Sequence, residues 1–92
     1  MILFAEIECI LYDTQSLKEK RSILKKVITK LRKEYNVSVA ELKYQNLWQR
    51  TMIGVVTVSN ERKVCEQVLQ DVMKTIDAYP ELERTITNVN EV

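Results

Sequence analysis

Leu3, Ala5, Ile7, Cys9 and Leu11 are apolar at every second position, and Phe4, Glu6, Glu8, Ile10 and Tyr12 fill the places between them. A period of two belongs to a strand, so residues 2–12 predict one. The period then changes. Leu17, Leu24, Val27, Ile28, Leu31 and Tyr35 fall within one helical stripe, which predicts a helix over 17–35. Ser16 and Glu19 have the S-x-x-E spacing of a capping box. Two β-rich runs follow, 37–44 and 51–59, joined by a short polar tip around Gln45 and Asn46, a hairpin signal. A second helix begins near Ser59 or Asn60, turns Val64, Cys65, Val68, Leu69, Val72 and Ile76 inward, and cannot continue through Pro80. Residues 82–91 form a weaker last strand. Ile86 and Val89 do not share parity there, which a bulge would explain.

The order β-α-β-β-α-β is that of the ferredoxin-like split βαβ fold. The fold class is therefore α+β, as a single domain over residues 1–92. Its expected form is a four-stranded antiparallel sheet in the order 4-1-3-2 with both helices on one face. The 92 residues bury a modest core, so self-association would add stability.

Composition mainly excludes. The chain has no histidine, which removes His-based triads and imidazole metal sites. Its one glycine, Gly54, lies inside a strand, so no Gly-rich phosphate loop can form. There Gly54 marks a bulge or a close backbone approach. Cys9 and Cys65 sit in apolar patterns and read as buried thiols. Glu6, Glu8, Asp13 and Glu41 are the only carboxylates placed for acid–base or Mg²⁺ chemistry, and Lys43 and Arg50 are available to pair with them. A solvated or salt-bridged sheet face is the simpler reading. No enzyme, cofactor or metal is expected. The apolar N-terminal run carries Glu6 and Glu8 and lacks a basic start, so it does not read as a signal peptide. No stretch is long enough for a membrane helix, and a cytoplasmic location is expected.

Net charge is +1, so only its distribution is informative. Lys18, Lys20, Arg21, Lys25, Lys26, Lys30, Arg32 and Lys33 place eight of the chain's 14 basic residues on the first helix. Lys18, Arg21, Lys25 and Arg32 share one flank of the apolar stripe. A local basic stripe suits a polyanion, or merely keeps a helix face solvated.

Together, "SLKEKRSILKKVITKLRKEYNVSVAEL" and "QNLWQRTMIGVVTVSN" resemble the YlxP-like family of small bacterial proteins of unknown function. The resemblance implies a ferredoxin-like fold. Family genes often lie near genes for transcription and translation factors, including a ribosome-binding factor, which implies an RNA or ribosome context by association. The resemblance supplies no catalytic residues.

The tip "YQNLWQR" holds the only tryptophan, Trp48. In the expected topology it lies at the end where the first helix begins, so Trp48, Gln49 and Arg50 should stand near Lys18, Lys20 and Arg21. A helix N-terminus suits phosphate, and an exposed aromatic stacks on unpaired bases. The competing arrangement folds Trp48 back over Leu17 as a lid on the core. Three functions follow. The first is a non-catalytic RNA- or ribosome-binding module using Lys18, Lys20, Arg21, Lys25, Arg32, Trp48, Gln49 and Arg50. The second is a homodimeric protein-interaction module, because the third strand is apolar on both faces and the second offers an edge. The third is a small enzyme built on Glu6, Glu8 or Glu41.

Overall fold

Ser16 is extended, and its hydroxyl accepts the Glu19 N–H at 3.1 Å, while a Glu19 carboxylate oxygen accepts the Gln15 N–H at 3.1 Å. The Ser16 half of the capping box read from S-x-x-E is thus made, with Glu19 reaching one residue past the cap, and it starts helix α1, Leu17–Glu34. The computed structural model describes residues 1–92. Strand β1 covers Ile2–Ile10, β2 Ser38–Lys43, β3 Arg50–Val58, helix α2 Arg62–Asp77, and β4 Glu83–Glu91. The sheet runs β2-β3-β1-β4, and every pairing is antiparallel. The ferredoxin-like order read from the pattern is the one the chain adopts.

Parity along β1 decides the two faces. Leu3, Ala5, Ile7 and Cys9 are buried with Ile53 and Val55 of β3, beneath Leu24, Val27 and Leu31 of α1 and Cys65, Leu69, Val72 and Ile76 of α2. Both helices therefore cover the same sheet face. The two thiols are free and fully buried, and burial pushes Cys9 up to about 12, so its thiol stays neutral near pH 7. No helix is long and apolar enough to cross a membrane.

Three local expectations change. Helix α2 begins at Arg62, because Ser59 and Asn60 form the turn and the Ser59 hydroxyl accepts the Glu61 N–H at 3.2 Å. Val64, read as inward-facing, is 44% exposed in the first turn. Lys20 moves the other way. It is 1% exposed, four residues before Leu24 and seven before Val27 on the buried stripe of α1.

The bulge inferred from Ile86 and Val89 is present. The β1–β4 register shifts between Ile7, opposite Thr87, and Cys9, opposite Arg84. The extra β4 residue there reverses side-chain parity along the strand. Gly54 is a close approach, since a β-carbon there would lie 2.6 Å from Leu42 Cδ1. Leu42 thus lies flat across the strand on the face away from the helices.

Candidate functional site

The hairpin tip and the start of α1 meet at one end of the domain, held together by hydrogen bonds. Gln49 accepts the Leu11 N–H at 3.0 Å through its backbone carbonyl. Its side-chain amide donates to the Tyr12 and Thr14 carbonyls at 3.1 and 3.3 Å. Gln49 therefore fastens the tip to the β1–α1 loop, and its side chain is not free for a ligand.

Tyr44 turns the chain at this end. It is the one residue other than glycine with positive φ, at 66°. That conformation is a genuine outlier for a bulky side chain. Several contacts hold it. The Tyr44 carbonyl accepts the Leu47 N–H at 3.0 Å and the Lys20 ammonium at 2.6 Å. Its ring lies under the Arg50 guanidinium, 4.0 Å from centre to carbon.

Two ion pairs flank Tyr44 on opposite faces of the sheet. On the helix side, Lys20 Nζ stands 2.9 Å from Glu41 Oε2, which also accepts the Thr51 hydroxyl at 2.6 Å. On the open side, Arg50 donates to Glu8 Oε1 through Nε at 3.1 Å and Nη2 at 2.6 Å, and Thr85 donates to Glu8 Oε2 at 2.9 Å. These donors hold the Glu8 carboxyl below its ordinary value, the Arg50 hydrogen bond contributing most. Glu8, Glu41 and Arg50 are thereby committed to the frame of the domain. No group of three or more His, Cys, Asp or Glu side chains converges as a metal site would require.

Glu8 makes the fold sensitive to acid in a defined direction. Because its folded pKa is depressed, its contribution is full above the ordinary value of 4.5 and is lost as pH falls through the folded value. Arg50→Met removes the main cause of the depression. The stability difference between wild type and Arg50→Met, from urea unfolding, is therefore expected to shrink between pH 5 and pH 3. Asp77, held down by Arg84, adds an acid sensitivity that cancels in this difference. A constant difference would show that Glu8 does not depend on Arg50.

The residues singled out in the sequence thus divide. Lys20 is not a surface cation: it is buried on Glu41 and the Tyr44 carbonyl, because a lysine placed on the apolar stripe must carry its charge to a partner under the hairpin. Gln49 is spent on the β1–α1 loop, and Arg50 on Glu8 and Tyr44. Arg32 sits in the last turn of α1, far along the helix from the tip, and donates to the Val39 carbonyl at 2.7 Å. The start of α1 is also not open to an anion. The Ser16 hydroxyl takes the Glu19 N–H, the Glu19 carboxylate stands at this end on the Gln15 N–H, and Asp13, Glu19 and Glu81 line the adjoining hollow.

Lys18, Arg21 and Lys25 remain exposed with no carboxylate within ion-pair distance, as does Lys33, which sequence reading did not select. Lys26 is held by Glu81 at 3.3 Å and Lys30 by Glu34 at 2.9 Å. At ~100° per residue, Lys18, Arg21, Lys25 and Lys33 fall within one sector of about 120° outside the buried stripe, Arg21 on its flank. The signal for Lys33 was its place about 60° around the helix from Lys18, still outside the buried stripe. Trp48 is 50% exposed and lies outside the buried core cluster. With Asn46, Leu47, Gln49 and Arg50 it lines an open cleft of about 500 Å³.

Comparison with known proteins agrees with this frame. Residues 2–89 match the family model described as protein of unknown function, DUF503. The chain belongs to the DUF503 family. Within that family it is similar to YlxP of Bacillus subtilis (strain 168), 53% identical over 87 residues and covering 95% of each chain. The YlxP-like resemblance carried by the α1 start and the L-W-Q-R tip is therefore borne out. Among solved structures the DUF503 chain is similar in fold to a de novo designed protein, Foldit4. That match has a TM-score of 0.61 at 12% identity, over 100% of this chain and 99% of the other.

Proposed function

We propose that this protein is a non-catalytic module that binds single-stranded RNA, in a ribosomal context, along the outward face of α1. The observation that carries the proposal is the row of unpaired, exposed cations Lys18, Arg21, Lys25 and Lys33. The row extends over about 22 Å of helix at 1.5 Å per residue and starts at the end where Trp48 stands out from the core. A phosphate backbone following the row would bring a base within reach of the indole. Stacking of that kind contributes about 1–3 kcal/mol per base.

The usual nucleic-acid surface of this fold is unsuited here. Base-stacking domains of this architecture use aromatics on the central strands of the open face. In this chain β3 carries none, and Glu6 and Glu8 lie on that face of β1. The binding surface therefore lies on the helix side.

Titration of a labelled single-stranded RNA with the intact protein at increasing salt tests the reading. Affinity is expected to fall with salt, and Lys18→Ala with Arg21→Ala to flatten the log–log slope by about 0.7 for each cation removed. Trp48→Ala is expected to weaken binding roughly 5- to 150-fold, the equivalent of one stacked base, with the melting temperature little changed. Absence of binding at low salt, or binding indifferent to both sets of substitutions, would overturn the proposal.

A further inference from the structure

We propose that the open face of the sheet is covered by a second copy of this chain, stacked face to face about a two-fold axis that runs along the strands. The register maps this face in rows. Ile2 lies opposite Val58, and Phe4 lies between Asn90 and Val56. Ser38 lies beyond Val56, and Asn88, Glu6, Gly54 and Ala40 make the next row, with Leu42 lying over Gly54. Glu8, Met52 and Lys43 follow, then Ile10 with Arg50 and Glu83. The face is therefore apolar along its centre at one end, with Asn90 and Ser38 at the margins, and charged at the hairpin end. Val56 is 36% exposed, Leu42 42% and Val58 54%, and no helix reaches them. A contiguous apolar area of this kind marks an interface.

The β2 edge of the sheet is a poor alternative. The Val39 carbonyl of β2 accepts from Arg32 at 2.7 Å, and the Glu41 carbonyl from Gln45 at 3.4 Å. Side chains thus occupy backbone acceptors that an added strand would need. The face, by contrast, comes near the right size. Three strands of nine residues and one of six, at about 3.3 Å per residue and about 4.8 Å apart, give a planar footprint of roughly 500 Å², and side-chain relief carries the accessible area of the whole face toward the ~800 Å² per partner of a stable complex. The apolar end alone is smaller than that, so the occupant must match the charged end as well.

A second copy does so. Apolar rows meet apolar rows only if the axis lies along the strands, and that axis sets β2 of one copy over β4 of the other. Lys43, which has no ion-pair partner within the chain, then comes over the end of β4 that bears Glu83 on the same face. Each copy supplies both charges, so the contact is self-complementary, as a two-fold interface requires.

Light scattering on the intact protein at micromolar concentration is expected to give twice 10.8 kDa. Val56→Lys is expected to reduce this to the single mass while the far-UV circular dichroism stays native, since the residue is already more than a third open to water. Val58→Lys is a second variant on the same patch, should Val56→Lys fold poorly. Val64→Lys, on α2 with similar exposure, is expected to leave the dimer intact. A wild-type monomer would overturn the proposal. A dimer surviving in folded Val58→Lys and Val56→Lys, or lost in Val64→Lys instead, would also overturn it.

Discussion

Lys20→Ala is expected to destabilise the protein by about 3 kcal/mol, the usual cost of removing one member of a buried ion pair. The substitution deletes the partner of Glu41 and the donor to the Tyr44 carbonyl, and empties a slot on the buried stripe of α1. Glu41 would keep only the Thr51 hydroxyl. Its side chain is 18% exposed, so water recovers part of the loss and the cost stays at the lower end of the range. The double variant Lys20→Met with Glu41→Gln separates charge from packing. Met restores the aliphatic volume, and the Gln carbonyl still accepts from Thr51. Recovery of most of the lost stability in urea unfolding is expected, because a well-packed neutral replacement of a buried pair is often tolerated. A loss below about 1 kcal/mol in Lys20→Ala would mean that the lysine is solvated.

Ile7→Ala is expected to cost about 2–5 kcal/mol, through lost transfer energy and the cavity left behind. Ile7 is fully buried on β1, between Ile53 of β3 and Thr87 of β4 and under the helix layer. Neither sheet neighbour can move into the gap, since both are tied into the ladder on either side. Against a typical domain stability of about 5–15 kcal/mol, the variant falls close to unfolding. Ile10→Ala is the matched control. It is on the same strand but on the open face and only partly buried, and it should cost well under half as much. The urea midpoint should fall sharply for Ile7→Ala with little change in slope. Equal losses in the two variants would contradict the assignment of the sheet faces.

Much of this frame is legible in the chain. The period of two in β1, the period of 3.6 in both helices, the S-x-x-E start of α1 and Pro80 after α2 all reflect interactions among near neighbours. The β4 bulge is legible as well, since Ile86 and Val89 break parity. The candidate site was legible only in part. Lys18, Arg21 and Lys25 are where a helical wheel places them, and Trp48 stands exposed at the tip. Lys20, Gln49 and Arg50 are bound up in the frame by partners 24, 35 and 42 residues away in sequence.

What near neighbours in the chain set, then, is the order and type of the elements, the main apolar stripe of each, and the concentration of positive charge on α1. Those properties depend on backbone period and on residues a turn apart. The tertiary structure alone decided which cations are free. A lysine on an apolar stripe and a lysine on a solvated face are the same residue until a carboxylate from another element comes within reach. Glu41 reaches Lys20 because β2 packs beside α1, and Glu8 reaches Arg50 because β1 pairs with β3. The folded chain brings those charges together, and their pairing leaves Lys18, Arg21, Lys25 and Lys33 facing solvent.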